Sequence, residues 1–266
     1  MKQVVIENTD IRVSRIAFGT GSLHHLFGKR QRQQLLETAA SAGITHFDTA
    51  PYYGFGLAET DLGEFLHGRR TAFTITTKVG LYPPGGASWN HFAVWSRKAL
   101  GKVYPGMVKP RIDWSVQCAA TGLNASLRRL KTDHVDFLFL HEPDIGVVNS
   151  DEFLNWLERE RRHGKIRCWG LAGLPELLER WLAVDHPLSQ VLQTRDSLDR
   201  HEADLILRHG RQLQLTYGYL SSRRGAAQPE STNTLIRKAL ARNPYGSILI
   251  STRRPDRLNP LAELFE

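Results

Sequence analysis

Eight short apolar runs rich in β-branched residues alternate along this chain with longer stretches of helical period. Such alternation is typical of a parallel sheet whose strands are joined by crossover helices. Eight such units have the length and rhythm of a closed (β/α)8 barrel of the TIM type. The sequence therefore predicts an α/β fold with a single eight-stranded barrel. The predicted strands are 15–19, 45–48, 73–78, 135–141, 168–172, 191–194, 213–217 and 247–251.

A doubly wound open sheet is the alternative α/β architecture. It is disfavoured because Gly19-Thr20-Gly21 follows a predicted strand without the third glycine of a dinucleotide-binding turn. The stretch 31–42 carries apolar residues at helical spacing, as a crossover helix requires. No linker, internal repeat or low-complexity tract divides the chain, so we expect one domain over residues 1–266.

The segment 81–112, after the third predicted strand, has no clear periodicity and is rich in proline, glycine and aromatic residues. In a barrel this long loop lies on the face where the carboxyl ends of the strands meet, and loops of such length are commonly lids or binding walls. Its Trp89 and Trp95 are candidate substrate-binding residues. Alternatively, these rings pack the loop onto the barrel.

Composition excludes several other classes of protein. With 41% hydrophobic and 23% charged residues over 266 positions, the chain is neither disordered nor collagen-like. Only Cys118 and Cys168 are present, so the chain alone can build neither a disulfide framework nor a thiolate zinc site. We expect two reduced thiols and no metal site.

The net charge of +8 raises the question of a nucleic-acid partner. Because Arg and Lys are scattered rather than clustered, we expect a solvated basic surface and no nucleic-acid binding. No run approaches the roughly 18 apolar residues that span a bilayer, and residues 1–8 lack the pattern of an export signal. The sequence therefore predicts no membrane partner and a cytoplasmic location.

Four polar residues stand at or just after predicted strand ends. Asp48 begins the run Asp-Thr-Ala-Pro-Tyr-Tyr-Gly, which places Tyr53 before Gly54, while Lys78 and His141 end the third and fourth predicted strands. Together with Gly56, Glu59 and Leu127-Arg-Arg-Leu130, this order of motifs resembles the aldo-keto reductases, in particular the branch that includes bacterial aldose and pyridoxal dehydrogenases. The resemblance covers nearly the whole chain, and it is strongest up to residue 145.

The resemblance implies a catalytic tetrad of Asp48, Tyr53, Lys78 and His141. In a barrel, all four converge on one face. Reduction of a carbonyl by hydride transfer needs a proton donor, for which Tyr53 is suited. We expect Lys78 to lower the pKa of this phenol, Asp48 to hold Lys78, and His141 to orient the carbonyl. Taken singly, each residue also has an ordinary structural interpretation.

The resemblance also implies NADPH as cofactor, with NADH possible, and a small carbonyl or alcohol as substrate. Gln193 would hold the nicotinamide carboxamide and Tyr217 would stack on its ring. Arg253, Arg254 or Arg257 would bind the 2′-phosphate through charge-assisted hydrogen bonds. Tyr52 would line the substrate pocket. The complete set of candidate cofactor residues is Thr20, Gln193, Tyr217, Ser251, Arg253, Arg254 and Arg257.

The chain departs from the family pattern in three places. Ala172-Gly173 stands where Ser-Asn is usual, Tyr219 replaces the proline of Tyr-Ser-Pro-Leu, and Asp196 stands where Tyr is common. Loss of the Ser-Asn pair would remove hydrogen bonds to the carboxamide, each worth about 0.5–1.5 kcal/mol. The departures leave open a cofactor-binding sensor module with little turnover, and the motif form leaves open a sugar-type alcohol dehydrogenase. A carbonyl reductase remains the leading hypothesis.

Overall fold

The structure, a computed structural model, describes residues 1–85, 109–221 and 230–265. Twelve strands occur in these ranges. They are β1 (Gln3–Val5), β2 (Arg12–Ser14), β3 (Ile16–Gly19), β4 (His46–Asp48), β5 (Thr74–Val79), β6 (Leu81–Tyr82), β7 (Arg111–Ile112), β8 (Val135–His141), β9 (Ile166–Gly173), β10 (Val191–Arg195), β11 (Leu215–Tyr217) and β12 (Ser247–Ile250).

Eight of these strands, β3, β4, β5 and β8 to β12, pair in parallel and close into a barrel in chain order, with β12 beside β3. The predicted (β/α)8 barrel is confirmed, and each predicted strand lies on one of the eight. Strand ends differ from the prediction by up to two residues, as is usual for sequence-based boundaries. That residues 1–266 form one domain stays a prediction.

Seven α-helices of the described residues pack around the barrel. They are α1 (Lys29–Ser41), α2 (Leu57–Phe65), α3 (Val116–Leu130), α4 (Ser150–Arg162), α5 (Pro175–Leu182), α6 (Asp204–Arg208) and α7 (Thr232–Arg242). The prediction of a helix after every strand is wrong for β12, which leads into 3₁₀ segments at Pro255–Arg257 and Asn259–Phe265. Pro255 and Pro260 lack the backbone N–H that a continuous α-helix would use there.

The barrel strands are buried on both faces, because helices cover the outside of the barrel and side chains fill its inside. In β8, every residue from Val135 to Leu140 is buried. Phe137 and Phe139 point into the barrel and stack with their centroids 5.9 Å apart. The helices bury one stripe each; in α4 this stripe is Phe153, Trp156, Leu157 and Glu160.

Two short antiparallel pairs were not predicted. The β1–β2 hairpin contributes Ile6, Ile11 and Val13 to the same apolar cluster as Phe137, and so closes the amino-terminal end of the barrel. The pair β6–β7 joins the two ends of the predicted long loop, in register Leu81 to Ile112. Within the described ranges, every helix is too short or too polar to cross a bilayer.

Candidate active site

The carboxyl ends of the barrel strands surround a cavity of about 420 Å³. Asp48 ends β4, Lys78 lies near the end of β5, His141 ends β8, and Tyr53 follows β4 in the next loop. All four side chains line the cavity. The barrel therefore brings together the four residues that the sequence motifs single out as catalytic.

Lys78 is the centre of this group, and its side chain is 2% exposed. Its Nζ donates to Asp48 Oδ1 at 2.6 Å, to the carbonyl oxygen of Thr49 at 3.0 Å and to the hydroxyl of Tyr53 at 3.3 Å. Three bonds in different directions fix the amine in position. A buried amine with a carboxylate partner is tolerated because the pair and the carbonyl replace the lost hydration.

The loop that carries Tyr53 depends on its two glycines. Gly54 has a φ of 58°, and a Cβ there would stand 2.5 Å from the Cβ of His24, so a side chain cannot be accommodated. Gly56 has a φ of 91°, which also favours glycine. The ring of Tyr53 meets the ring of His141 edge to face at a centroid distance of 6.2 Å. The glycine spacing in the motif thus positions the phenol over the strand ends.

Glu59, the last residue of that motif, supports β5 from outside the cavity. Its carboxylate is fully buried and accepts a 2.6 Å hydrogen bond from the hydroxyl of Thr77, the residue before Lys78. Arg129 of α3 donates to the other carboxylate oxygen at 2.6 Å. The motif residue Glu59 therefore ties α2 and α3 to the strand that carries Lys78.

The expected lowering of the Tyr53 pKa is wrong for this structure. Burial, and then the negative charges of Asp48 and Glu142, raise the pKa of Tyr53 well above its usual value of 10.0. Lys78 contacts the hydroxyl, yet its charge is shared with Asp48 at 2.6 Å. The phenol is consequently a protonated hydrogen-bond donor at neutral pH.

His141 is a neutral imidazole. Burial and the nearby charge of Lys78 lower its pKa to about 3. Its Nδ1 atom is buried and has no hydrogen-bond partner among the described residues. A neutral ring can offer one N–H and one lone pair, so it is suited to orienting a polar group in the cavity rather than to supplying positive charge.

Gln193 and Tyr217 line the opposite wall. The amide Nε2 of Gln193 donates to Asp48 Oδ1 at 2.9 Å, whereas its Oε1 is buried without a partner among the described residues. Burial, together with Tyr53 and Glu142, raises the pKa of Tyr217 to about 12, so its ring is uncharged. An unsatisfied buried amide oxygen is costly, and a ligand with an N–H group would relieve that cost.

The segment after β12 forms a positively charged end of the cavity. Ser251, Arg253, Arg254 and Arg257 line it, and the three arginines are exposed. Arg254 is paired with Asp256 at 2.7 Å. In the described part of the chain, Arg253 and Arg257 form no ion pair, so their guanidinium groups are available to an anion.

Two of the sequence-predicted residues do not reach the cavity. Thr20 is fully buried and donates to the backbone carbonyl of Asp48 at 3.0 Å, while its neighbours Gly19, Gly21 and Ser22 line the cavity instead. Tyr52 is not among the residues that line the cavity, and its ring packs edge to face on Phe55 at 6.1 Å between centroids. Trp89 and Trp95 lie outside the described residues.

Each departure from the family pattern has a local partner. Tyr219 is buried outside the cavity, and its hydroxyl donates to Asp196 at 2.8 Å, so these two departures contact each other. Gly173 faces Glu142, because a Cβ at Gly173 would lie 3.5 Å from the Cα of Glu142. Glu142, which was not among the predicted site residues, directly follows His141 and lines the cavity.

Comparison with known proteins identifies the family. The model of the Aldo/keto reductase family matches residues 15–182, which is more than half of the chain. The chain belongs to this family of oxidoreductases. L-galactose dehydrogenase of Arabidopsis thaliana is 30% identical over 176 residues, which are 63% of this chain and 47% of that protein. The chain spans about half the length of the curated relatives that it matches.

Solved structures agree with the barrel. An aldo-keto reductase from Bacillus halodurans in its holo form is 21% identical, with a TM-score of 0.75 over 100% of this chain and 91% of that one. An aldo/keto reductase from Klebsiella pneumoniae in complex with NADP and acetate is 19% identical, with a TM-score of 0.68 over 100% of this chain and 90% of that one. At these identities the likeness concerns the fold.

Proposed function

We propose that this protein is an NADPH-dependent oxidoreductase that interconverts an aldehyde or ketone and its alcohol, with Tyr53 as the acid and base. The observation that carries this proposal is the position of Lys78 Nζ, which is bonded to both Asp48 and Tyr53 at the floor of the cavity. A buried ammonium beside a phenol is an arrangement that favours proton transfer at the phenol oxygen. Membership of the Aldo/keto reductase family supports the reaction class.

The residues that line the cavity fit a nicotinamide cofactor. The unpartnered Oε1 of Gln193 would accept a hydrogen bond from a carboxamide N–H, and the uncharged ring of Tyr217 offers a flat surface in the same wall. Arg253 and Arg257 would hold the 2′-phosphate of NADPH at the basic end. NADH is the alternative cofactor, and it lacks the 2′-phosphate that these arginines would bind.

When bound, the nicotinamide would supply or accept the hydride. The chain's own residues manage the proton and the charge. Tyr53 would donate its hydroxyl proton to the carbonyl oxygen as negative charge develops there. Lys78, whose Nζ already donates to that hydroxyl, would stabilise the phenolate that remains, and Asp48 would keep Lys78 in position. In the reverse direction the same phenolate would accept the alcohol proton.

Oxidation of a sugar-type alcohol is the second candidate activity. The similarity of the chain to L-galactose dehydrogenase supports this activity. The same tetrad serves both directions, so the choice between them rests on the substrate and on the ratio of reduced to oxidised nucleotide. Assays should therefore include NADPH with carbonyls and NADP⁺ with aldoses.

Titration of the protein with NADPH and NADH, followed by quenching of tryptophan fluorescence, tests the cofactor. A panel of aldehydes, ketones and aldoses followed at the absorbance of NADPH tests the reaction. We expect tighter binding of NADPH than of NADH, and turnover of at least one of these three substrate classes. Tight nucleotide binding without turnover on any substrate would favour the cofactor-binding sensor, and absence of nucleotide binding would contradict the proposal. The burial of Tyr219 away from the cavity supports the enzyme over the sensor.

A further inference from the structure

The cavity carries opposite charges at its two ends. The segment after β12 supplies the three arginines, whereas the end formed by β8 and β9 carries the carboxylate of Glu142. Between them, Lys78 and Asp48 largely balance each other at 2.6 Å. Since the basic end suits the phosphates of the proposed nucleotide, the acidic end is left for the substrate side of the cavity.

Glu142 is held in this position by its backbone. Its φ of 57° lies in the left-handed region, which is unusual for a residue with a side chain and occurs often at functional sites. Its N–H donates to the carbonyl oxygen of Ala172 on the neighbouring strand at 2.6 Å. This bond fixes the direction in which residue 142 leaves β8.

Gly173 of β9 lies beside Glu142. A Cβ at Gly173 would stand 3.5 Å from Cα and 4.0 Å from Cγ of Glu142, which is ordinary van der Waals distance. The stem of the Glu142 side chain therefore lies against the end of β9, at the position where the family pattern has Ser-Asn.

The Glu142 charge acts on the reacting position. Among the described residues, no ion pair joins it to a Lys, Arg or His side chain. Glu142 directly follows His141 and lines the same cavity, and its charge is one of the causes that raise the pKa of Tyr53 and of Tyr217. Glu142 is exposed to solvent, and an unpaired carboxylate at such a position attracts cations and repels anions.

We propose that Glu142 is a specificity-determining residue that selects carbonyl substrates bearing a cationic group, such as an ammonium, and rejects those bearing a carboxylate. This inference rests on the proposed function. Selection here would work by repulsion of the wrong substrate as well as by attraction of the right one.

The test compares three probes of similar size, which are 4-(trimethylammonio)benzaldehyde, 4-(hydroxymethyl)benzaldehyde and 4-carboxybenzaldehyde, with NADPH. The substituents differ in their electronic effect on the aldehyde, so the measured quantity is the change in the ratio of kcat/KM between wild type and Glu142→Gln. We expect the cation-to-anion ratio to fall by roughly tenfold or more in Glu142→Gln, and the wild-type ratio to shrink at high salt. Glu152→Gln, at an exposed position of α4, is the matched control and should keep the wild-type ratio.

The outcomes are distinguishable. Turnover of the probes with the same ratio in wild type and Glu142→Gln would overturn this inference and leave the proposed function standing. An altered affinity for NADP⁺ relative to NADPH with an unchanged substrate ratio would also overturn it, because the charge would then act on the nucleotide. Absence of turnover on every carbonyl and alcohol would overturn the proposed function, and this inference with it. A thermal melt of Glu142→Gln shows whether the variant is folded.

Discussion

Tyr219 donates a 2.8 Å hydrogen bond to Oδ2 of Asp196, and both side chains are buried behind the wall that carries Tyr217. Arg242 of α7 donates to the same carboxylate oxygen at 3.0 Å. Asp196 after β10 and Tyr219 after β11, which both depart from the family pattern, thus interact directly with each other. This interaction links two consecutive strand ends of the barrel.

Loss of this bond should reduce stability. We expect Tyr219→Phe to lower the free energy of unfolding by about 1.5–3 kcal/mol, because a buried hydrogen bond to a charged acceptor is removed. Denaturant unfolding of Tyr219→Phe, Asp196→Ala and the double variant forms a cycle that isolates the pair. The loss of unfolding free energy in the double variant should be smaller than the sum of the losses in the two single variants. Strict additivity would show that the two residues do not interact.

Tyr53→Phe should abolish turnover and leave nucleotide binding nearly intact, since only the hydroxyl that would act on the substrate is removed. Loss of proton transfer should lower kcat by about 100-fold or more. Steady-state kinetics and fluorescence titration with NADPH measure the two effects on the same preparation. Tyr245→Phe, at an exposed position, is the control. Weakened nucleotide binding with turnover preserved would contradict the role given to Tyr53.

Arg253→Ala and Arg257→Ala should weaken the binding of NADPH more than the binding of NADH. A charge-assisted hydrogen bond to the 2′-phosphate is worth about 1.5–3 kcal/mol, so we expect the Kd for NADPH to rise by about ten- to 100-fold while that for NADH changes little. Arg162→Ala, at the exposed end of α4, controls for the loss of one positive charge. Equal losses for both nucleotides would exclude a contact with the 2′-phosphate.

His46 should make the protein less stable in acid. Its side chain is fully buried inside the barrel between the hydroxyls of Thr74 and Thr76. Burial lowers its pKa from 6.5 to about 4, although Asp48 and Asp136 act in the opposite direction and Lys78 adds to the lowering. Between pH 6.5 and 4 the unfolded chain binds a proton that the folded chain does not, so stability falls as pH falls, by about 3 kcal/mol from this group.

Unfolding by urea at pH 7, 6, 5 and 4 measures this dependence. The free energy of unfolding of His46→Gln should depend less steeply on pH than that of the wild type, whatever its value at pH 7, because glutamine does not titrate. His163→Gln, on the surface, should keep the wild-type slope. An unchanged slope in His46→Gln would mean that other groups, such as His141, account for the acid sensitivity.

The barrel could be predicted because its strands are buried and several of them contain apolar runs, such as residues 137–140. The β1–β2 hairpin could not, since each of its strands has three residues and is too short for a period to be visible. No α-helix forms after β12 in the described residues, because Pro255 and Pro260 interrupt the pattern of backbone hydrogen bonds.

Motif order predicted that the four residues of the proposed tetrad lie together, and they line one cavity, but their electrostatics could not be predicted. The direction of the Tyr53 pKa depends on burial and on Glu142, and neither follows from the spacing of residues along the chain. Glu142 could not be selected from the sequence, because a glutamate after a strand is usually a surface residue. Glu142 is indeed exposed, and only closure of the barrel shows that it also lines the cavity.

The pairing of β6 with β7 fixes two points of the chain beside the barrel. It brings Tyr82 and Arg111 to neighbouring-strand distance, about 5 Å. A segment inserted between them has to meet only these two anchor points, whatever its length. A change in the length or sequence between these anchors would therefore leave in place the ammonium of Lys78, on which the proposed chemistry depends.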